Sequence, residues 1–218
     1  MNVRRFLARS LPAALLVFMT ACAQGSDFPG DEPAACAGGS TCPGQEPAAV
    51  KRVFVTSVTY PGGALGGSAG ADEKCNAAAQ AAVLAGTWKA WISTSSEDAV
   101  DRIEDVGPWY LVDGATRVFN NKANLTTLPL ASIALDEQGK RHDPFTQGGL
   151  YMAWTGTNSW GTKTSETCSD WMDSSGNGWG VYGYPAGFPS QAPSQQWGGD
   201  SQYANPCDER AGLICFEQ

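Results

Sequence analysis

Four cysteines, at positions 75, 168, 207 and 215, run through the last three quarters of this chain and limit what it can fold into. In an exported protein such residues form a disulfide framework, and four of them allow three pairings among which sequence alone does not choose. Cys75 lies in the stretch around which the rest is organised. Leu65-Gly-Gly-Ser-Ala-Gly-Ala-Asp-Glu-Lys-Cys75 opens an alanine-rich run, and Trp88-Lys-Ala-Trp-Ile-Ser-Thr94 follows Ala85-Gly86-Thr87. Ala71, Cys75, Ala78 and Ala82 recur at helical spacing, which predicts a helix from near Ala71 to a stop at Gly86, with Cys75 facing inward. In the strand that follows, Trp88, Ala90 and Ile92 share one face while Lys89, Trp91 and Ser93 share the other. A tryptophan on each face is expected of a strand covered on both sides or lying beside a ligand loop.

The premise of export comes from the N-terminus. Arg4, Arg5 and Arg9 precede an apolar run from Leu11 to Met19, too short to span a bilayer, and small residues lead to Cys22. Residues 1–21 read as a signal peptide. Met19-Thr20-Ala21-Cys22 resembles the lipobox of bacterial lipoproteins, with Met in place of the usual leading Leu. The resemblance implies that Cys22 is lipidated and becomes the first residue of the mature chain, which also explains an odd cysteine among seven. Ala23 stands where lipoproteins retained at the inner membrane commonly carry Asp. That points to the outer membrane or cell surface in a source that has one. Residues 22–50 are poor in large apolar groups, so they cannot offset their ordering entropy and read as a flexible lipidated tether. Export allows a small disulfide loop between Cys36 and Cys42.

The charge balance narrows the partners. The chain holds 14 Lys and Arg against 22 Asp and Glu; three of the basic residues and none of the acidic ones fall in the first 21 positions, so the mature chain carries 11 against 22. Such a surface repels phosphate backbones and sulfated glycans, which argues against nucleic acid and heparin-like polyanions. With 26 Gly, 13 Pro and 8 Trp, the composition favours a loop-rich fold on large aromatic anchors over a helical bundle.

Further elements follow in order. Arg52 to Tyr60 is β-branched and aromatic and stops at Pro61-Gly62-Gly63, a first strand. Thr94 and Glu97 have the spacing of a capping box, predicting a second helix to about Val106 with Ala99, Ile103 and Val106 inward. Trp109 to Val112, Asp113-Gly114 and Thr116 to Phe119 read as a hairpin. Asn120 to Ala131 reads as loop with one short helical turn, Ser132 to Asp136 as a short strand, and Gln138 to Gly149 as a polar loop. Tyr151 to Thr157 reads as a core strand, and Gly212 to Phe216 as the last one. Between Cys168 and Cys207 lies a segment rich in Trp, Tyr, Gly, Pro, Ser and Gln with little periodicity.

Leu65 to Cys75, Leu84-Ala-Gly-Thr-Trp88, Trp91-Ile-Ser-Thr-Ser, Gly139-Lys-Arg-His142, Trp154-Thr-Gly, Thr164 to Trp171 around Cys168, and Leu213-Ile-Cys215 are similar, in the same order, to stretches of a known domain. The chain from Lys51 to Gln218 resembles the endostatin-like domain that ends collagens XV and XVIII, a member of the C-type lectin-like superfamily. The resemblance implies an α+β fold, loop-rich and disulfide-stabilised, with two helices around twisted antiparallel sheets and the first and last strands paired. It also implies the nested bridges Cys75–Cys215 and Cys168–Cys207. Residues 51–218 are thus expected to form one domain.

The family's zinc and heparin sites rest on histidines and arginines that this acidic chain, with its one histidine, lacks. His142 reads as a structural loop residue. Every cysteine is accounted for by lipid or disulfide, so no thiol nucleophile is expected, nor any cofactor, and the chain reads as a non-enzyme. Asp173, Ser175 and Asn177 stand at alternate positions before Gly178, as oxygen ligands do in a calcium loop, but the twelfth position is Tyr184 rather than Glu; a turn is the first reading and calcium the second. For binding, the aromatic segment offers flat apolar faces to sugar rings or peptide side chains. Trp179, Tyr182, Tyr184 and Trp197 are the candidates, against the alternative that they fill space beneath the loop, as Trp171 beside Cys168 is expected to do. The function expected is a lipid-anchored envelope protein binding an extracellular glycan or protein. The alternatives are a structural envelope protein without a small ligand, and an exported hydrolase using Asp170, Asp173 or Asp208.

Overall fold

The computed structural model describes residues 50–142, 151–187 and 195–218. The signal, the tether, Cys22, Cys36 and Cys42 therefore lie outside the described residues.

Strand β1 (Lys51–Val55) is the centre of a five-stranded sheet. It breaks before Thr56 instead of running to Tyr60, and Tyr60–Pro61 forms a separate two-residue strand, β2. The break has a local cause: the Thr56 hydroxyl turns back to the Val58 carbonyl at 2.7 Å and accepts the Leu213 amide at 3.0 Å. Helix α1 spans Gly67–Ala81 and so begins four residues before the expected start. Glycine is a poor helix former, but here close approach decides. A Cβ on Gly70 would stand 2.2 Å from the Leu65 carbonyl oxygen, so only glycine lets the first turn wrap over Leu65. Gly70, Ala71, Cys75 and Ala79 are the buried stripe.

The helix ends well before Gly86. Leu84 N–H returns to the Ala79 carbonyl at 2.8 Å and Val83 N–H to Gln80 at 3.0 Å, a left-handed C-terminal cap with Val83 in the position usually held by glycine. Val83 has φ 57° and is 91% exposed, a β-branched residue in a region such residues avoid. Val83→Gly is expected to raise the unfolding free energy by about 1 kcal/mol, read by denaturant titration; an unchanged or lower midpoint would refute the strain.

Strand β3 (Trp88–Ala90) is an edge strand, and α1 closes its free edge with side chains. Asn76 accepts the Trp88 amide at 3.0 Å and donates to its carbonyl at 2.8 Å, and Asp72 accepts the Ala90 amide at 2.8 Å. These three bonds blunt that edge against pairing with another chain. Helix α2 is a single turn, Ala99–Arg102, not a helix to Val106. Thr94 does accept the Glu97 amide at 3.1 Å, but it closes a turn; Ser93 Oγ meets the helix at Ala99 N–H, 2.8 Å away. Arg102, at the last turn, is drawn into the interior by Asp72 at 2.7 Å and Glu97 at 2.9 Å, and Ile103 leaves the helical region.

Strands β4 (Trp109–Leu111) and β5 (Arg117–Phe119) form the expected hairpin, with Asp113 accepting the Ala115 and Thr116 amides at its tip. A 3-10 turn at Lys122–Thr126 follows, while the strand expected at 132–136 reduces to one bridge between Leu135 and Arg141. Strand β6 (Ala153–Trp154), β7 (Trp179–Gly183) and β8 (Ala204–Pro206) make a three-stranded sheet. Strand β9 (Arg210–Ala211) pairs with β2, and β10 (Ile214–Glu217) completes the main sheet, in the order β3-β10-β1-β4-β5. First and last strands pair antiparallel, Val53 opposite Phe216.

Alternation along these strands builds two cores. Phe54, Trp88, Ala90 and Cys215 pack with α1 on one face; Val53, Val55, Trp91, Ile214 and Phe216 pack with Trp109, Phe119 and Trp197 on the other. The cysteines pair as Cys75–Cys215, joining α1 to β10, and Cys168–Cys207, each with Cα atoms 5.6 Å apart. The fold is thus mixed α+β, with several small sheets and one long helix where two were expected.

Candidate functional site

The segment between Cys168 and Cys207 starts in an uncommon way. Cys168, Ser169, Asp170 and Trp171 all have positive φ, between 51° and 66°, a left-handed turn made of four non-glycine residues. Each such residue costs about 1 to 2 kcal/mol, so the turn persists only because its surroundings fix it. Trp171 N–H bonds the Thr167 carbonyl at 2.7 Å, and its fully buried indole donates to Ser93 O at 2.7 Å. The Trp171 carbonyl accepts Gly66 N–H at 3.2 Å, and the Cys168 sulfur is covalently held. Asp170 completes the clamp: its two oxygens accept Ser95 N–H at 2.6 Å and Ser95 Oγ–H at 2.7 Å.

Those bonds hold the Asp170 carboxyl below its ordinary value of 3.8. The sign follows: the stabilisation is fully present above that value and is lost as pH falls through the lower folded one. Asp170→Asn is expected to lower the unfolding midpoint at pH 7, the gap to the unsubstituted protein closing below about pH 4. A gap constant from pH 7 to pH 3 would refute the linkage. Asp170 is therefore a structural clamp, each of its oxygens engaged by Ser95.

The other polar candidates settle similarly. Asp173 Oδ1 accepts Ser175 N–H at 2.9 Å, which holds the carboxyl below its ordinary value and makes this stretch a turn closed by its own aspartate. Ser175 and Asn177 are exposed beside it. Among the described residues no cluster of three His, Cys, Asp or Glu is arranged to hold a metal. Asp208 lies against Gly176 of the same turn. His142 is buried, its Nε2 2.9 Å from Asp136 Oδ2 and its ring packed at a tilt against Tyr151, centroids 4.2 Å apart. Asp136 Oδ1 in turn accepts the Gln138 and Lys140 amides, so the histidine fastens a loop.

The four aromatic candidates do not form one surface. Trp197 is 1% exposed, its ring 4.8 Å from Trp91 and 4.9 Å from Phe119. Its segment threads inward because glycines permit it: a Cβ on Gly183 would stand 2.4 Å from the Trp197 carbonyl oxygen, and Gly199 (φ 130°) passes Thr157 as closely. Trp197 is core, and it presents no face to a ligand. Tyr182 and Tyr184 are buried too, edge to face at 5.4 Å, with Tyr203 against them. Burial, and then the neighbouring Tyr182 hydroxyl, push the Tyr184 phenol upward. Trp179, at the start of β7, is 52% exposed and is the one candidate of the four open to solvent.

A second exposed tryptophan escaped the sequence reading. Trp160, 58% exposed, stands in Asn158-Ser-Trp-Gly161. The Asn and Gly that bracket it are turn residues, the one local signal that this ring would be lifted out of the core strand expected through Thr157. A large apolar side chain left in water forgoes about 1.5 to 3 kcal/mol of burial; of the eight indoles, these two are half-exposed and the other six are buried.

No family model matches this chain, and no curated protein matches it closely enough to count as a relative.

Proposed function

We propose that the chain is a lipid-anchored cell-envelope protein that presents one endostatin-like, C-type lectin-like domain on a tether to bind an extracellular ligand, without catalysis. The lipobox-like Met19-Thr20-Ala21-Cys22 and the polar stretch after it support the anchor and the tether. The paired first and last strands, the helix tied to the final strand through Cys75 and Cys215, and the second bridge nested inside the first agree with what the family resemblance implies. The observation that carries the binding role is Trp179, a half-exposed indole at the start of β7, in a segment where Trp171, Tyr182, Tyr184 and Trp197 are buried and whose ends are tied by a disulfide.

The test has two parts. Mass spectrometry of the native protein is expected to find diacylglyceryl-type modification on Cys22; an unmodified Cys22 removes the anchor. Glycan and protein arrays probed with the mature chain and with Trp179→Ala are expected to reveal a ligand whose affinity falls by about tenfold or more in the variant, at unchanged thermal stability. Binding indifferent to Trp179 would move the site elsewhere, and the absence of any ligand would favour a purely structural envelope protein.

A further inference from the structure

Trp160 is held differently from an incidental surface residue. It sits at the tip of a turn whose flanks, Thr157 and Lys163, form an antiparallel bridge. Asn158 closes that turn from inside: its backbone N–H donates to the Thr162 carbonyl at 2.9 Å and its carbonyl accepts Gly161 N–H at 3.0 Å. Its side chain accepts Trp160 N–H at 2.8 Å and donates to Thr162 Oγ1 at 2.6 Å. Gly161 then seats the turn on the body. Its carbonyl accepts Val100 N–H at 3.2 Å, and a Cβ on it would stand 2.9 Å from the Trp91 ring. Beyond it, Lys163 N–H is fastened to Asp98 Oδ1 at 2.8 Å. The backbone that carries the indole is thus fixed before any ligand arrives, which removes the ordering entropy that weakens binding by mobile loops.

What surrounds the ring selects the kind of ligand. A protein hot spot sits in a well-packed, fully desolvated pocket. Trp160 has polar neighbours along the turn, Asn158, Ser159, Thr162 and Lys163, and among the described residues no aromatic ring stacks on it. A pyranose matches that setting. One of its faces is a C–H surface about the size of one aromatic ring, and its edges carry hydroxyls that need donors and acceptors beside the indole. Ser159 Oγ makes no hydrogen bond among the described residues and is available for that purpose, while the partly exposed Lys163 ammonium faces Asp98 at 3.9 Å. Charge excludes one class of sugar. Asp27, Asp31, Glu32 and Glu46 precede the domain, leaving 18 acidic against 11 basic residues from Lys51 onward, so polyanionic glycans are repelled.

We infer that Trp160 is the stacking platform of a site for a neutral glycan, with one pyranose face on the exposed indole. The inference rests on the proposal that this domain binds an extracellular ligand, and it names the ligand's class and a contact residue distinct from Trp179. The test uses the mature chain, Trp160→Ala, Trp160→Tyr and Trp179→Ala, titrated by calorimetry with cellohexaose, chitohexaose, maltohexaose and mannohexaose, and with a heparin hexasaccharide. At least one neutral hexasaccharide is expected to bind, about tenfold or more weakly to Trp160→Ala and with part of the affinity kept by Trp160→Tyr. The unfolding midpoint is expected to stay unchanged in both, and the heparin fragment not to bind. Failure of all four neutral sugars to bind, or binding that survives Trp160→Ala, overturns the inference. Sugar or protein binding lost in Trp179→Ala but kept in Trp160→Ala overturns it while the proposed function stands; no binding to any sugar or protein overturns both.

Discussion

Replacing Cys75 and Cys215 together by alanine is expected to lower the unfolding free energy by about 4 to 5 kcal/mol, measured by denaturant titration against the oxidised protein. The bridge closes a loop of 140 residues, which the inner Cys168–Cys207 bridge, 39 residues apart, shortens to roughly 100 in the unfolded chain. In the chain-entropy model, cross-linking a loop of that size removes about 4.7 kcal/mol of freedom from the denatured ensemble. That is of the order of the whole stability of a small domain, so the double variant should sit near or below the folding threshold at 37 °C. Both cysteines are fully buried, and the two alanines leave a small void between α1 and β10, which adds to the loss. A change under about 1 kcal/mol would mean that the unfolded chain is already compact where the bridge closes it.

Trp197→Ala is expected to cost about 3 to 5 kcal/mol, the range for deleting a large aromatic from a packed core. Its ring lies against Trp91, Phe119 and Phe216, on the face of the main sheet opposite α1. Truncation would open a cavity among three other aromatic rings. The comparison with Trp179→Ala, a change at a half-exposed ring, is the informative one: the surface variant should stay within about 0.5 kcal/mol of the parent. If Trp197→Ala proved neutral to stability and yet abolished ligand binding, the ring would be a contact residue and its burial would have misled.

The contrast between these two tryptophans shows why the candidate site was only partly legible. Both lie in a Gly-, Ser- and Gln-rich segment with no periodicity to give a face, so local sequence assigns them the same status. What separates them is long-range. Trp197 is drawn in by rings from Trp91 and Phe119, more than 70 positions away, and by glycines at 183 and 199 that let the backbone pass. Trp179 begins a strand whose partners, β6 and β8, leave its ring outside. Tyr182 and Tyr184 follow the opposite rule: they stand two apart on one face of β7 and its continuation, and that face is covered. Asp170 shows the same limit for polar groups. Its neighbours in sequence gave no sign of Ser95, 75 positions earlier, which takes both of its oxygens.

Where the signal was local and repeated, it was enough. The spacing of Ala71 and Cys75 placed the cysteine on the inner side of α1, and the alternation of Trp88 and Trp91 put one ring in each core, because a helix and a strand each impose a fixed side-chain period whatever they pack against. Asp113-Gly114 marked the hairpin for the same reason: turn chemistry is confined to a few residues. The ends of elements were decided elsewhere. The approach of Gly70 to Leu65 set where α1 starts, the burial of Arg102 between Asp72 and Glu97 accompanies the end of α2 after one turn, and a clamp from Ser95 and Thr167 holds four L-residues left-handed. By itself the sequence determined the kinds of element, the inward cysteine of α1 and the acidic charge balance of the chain. Only the tertiary structure decided which indoles stay in water, because burial depends on partners brought from distant parts of the chain, and those partners carry no mark in the residues beside each tryptophan.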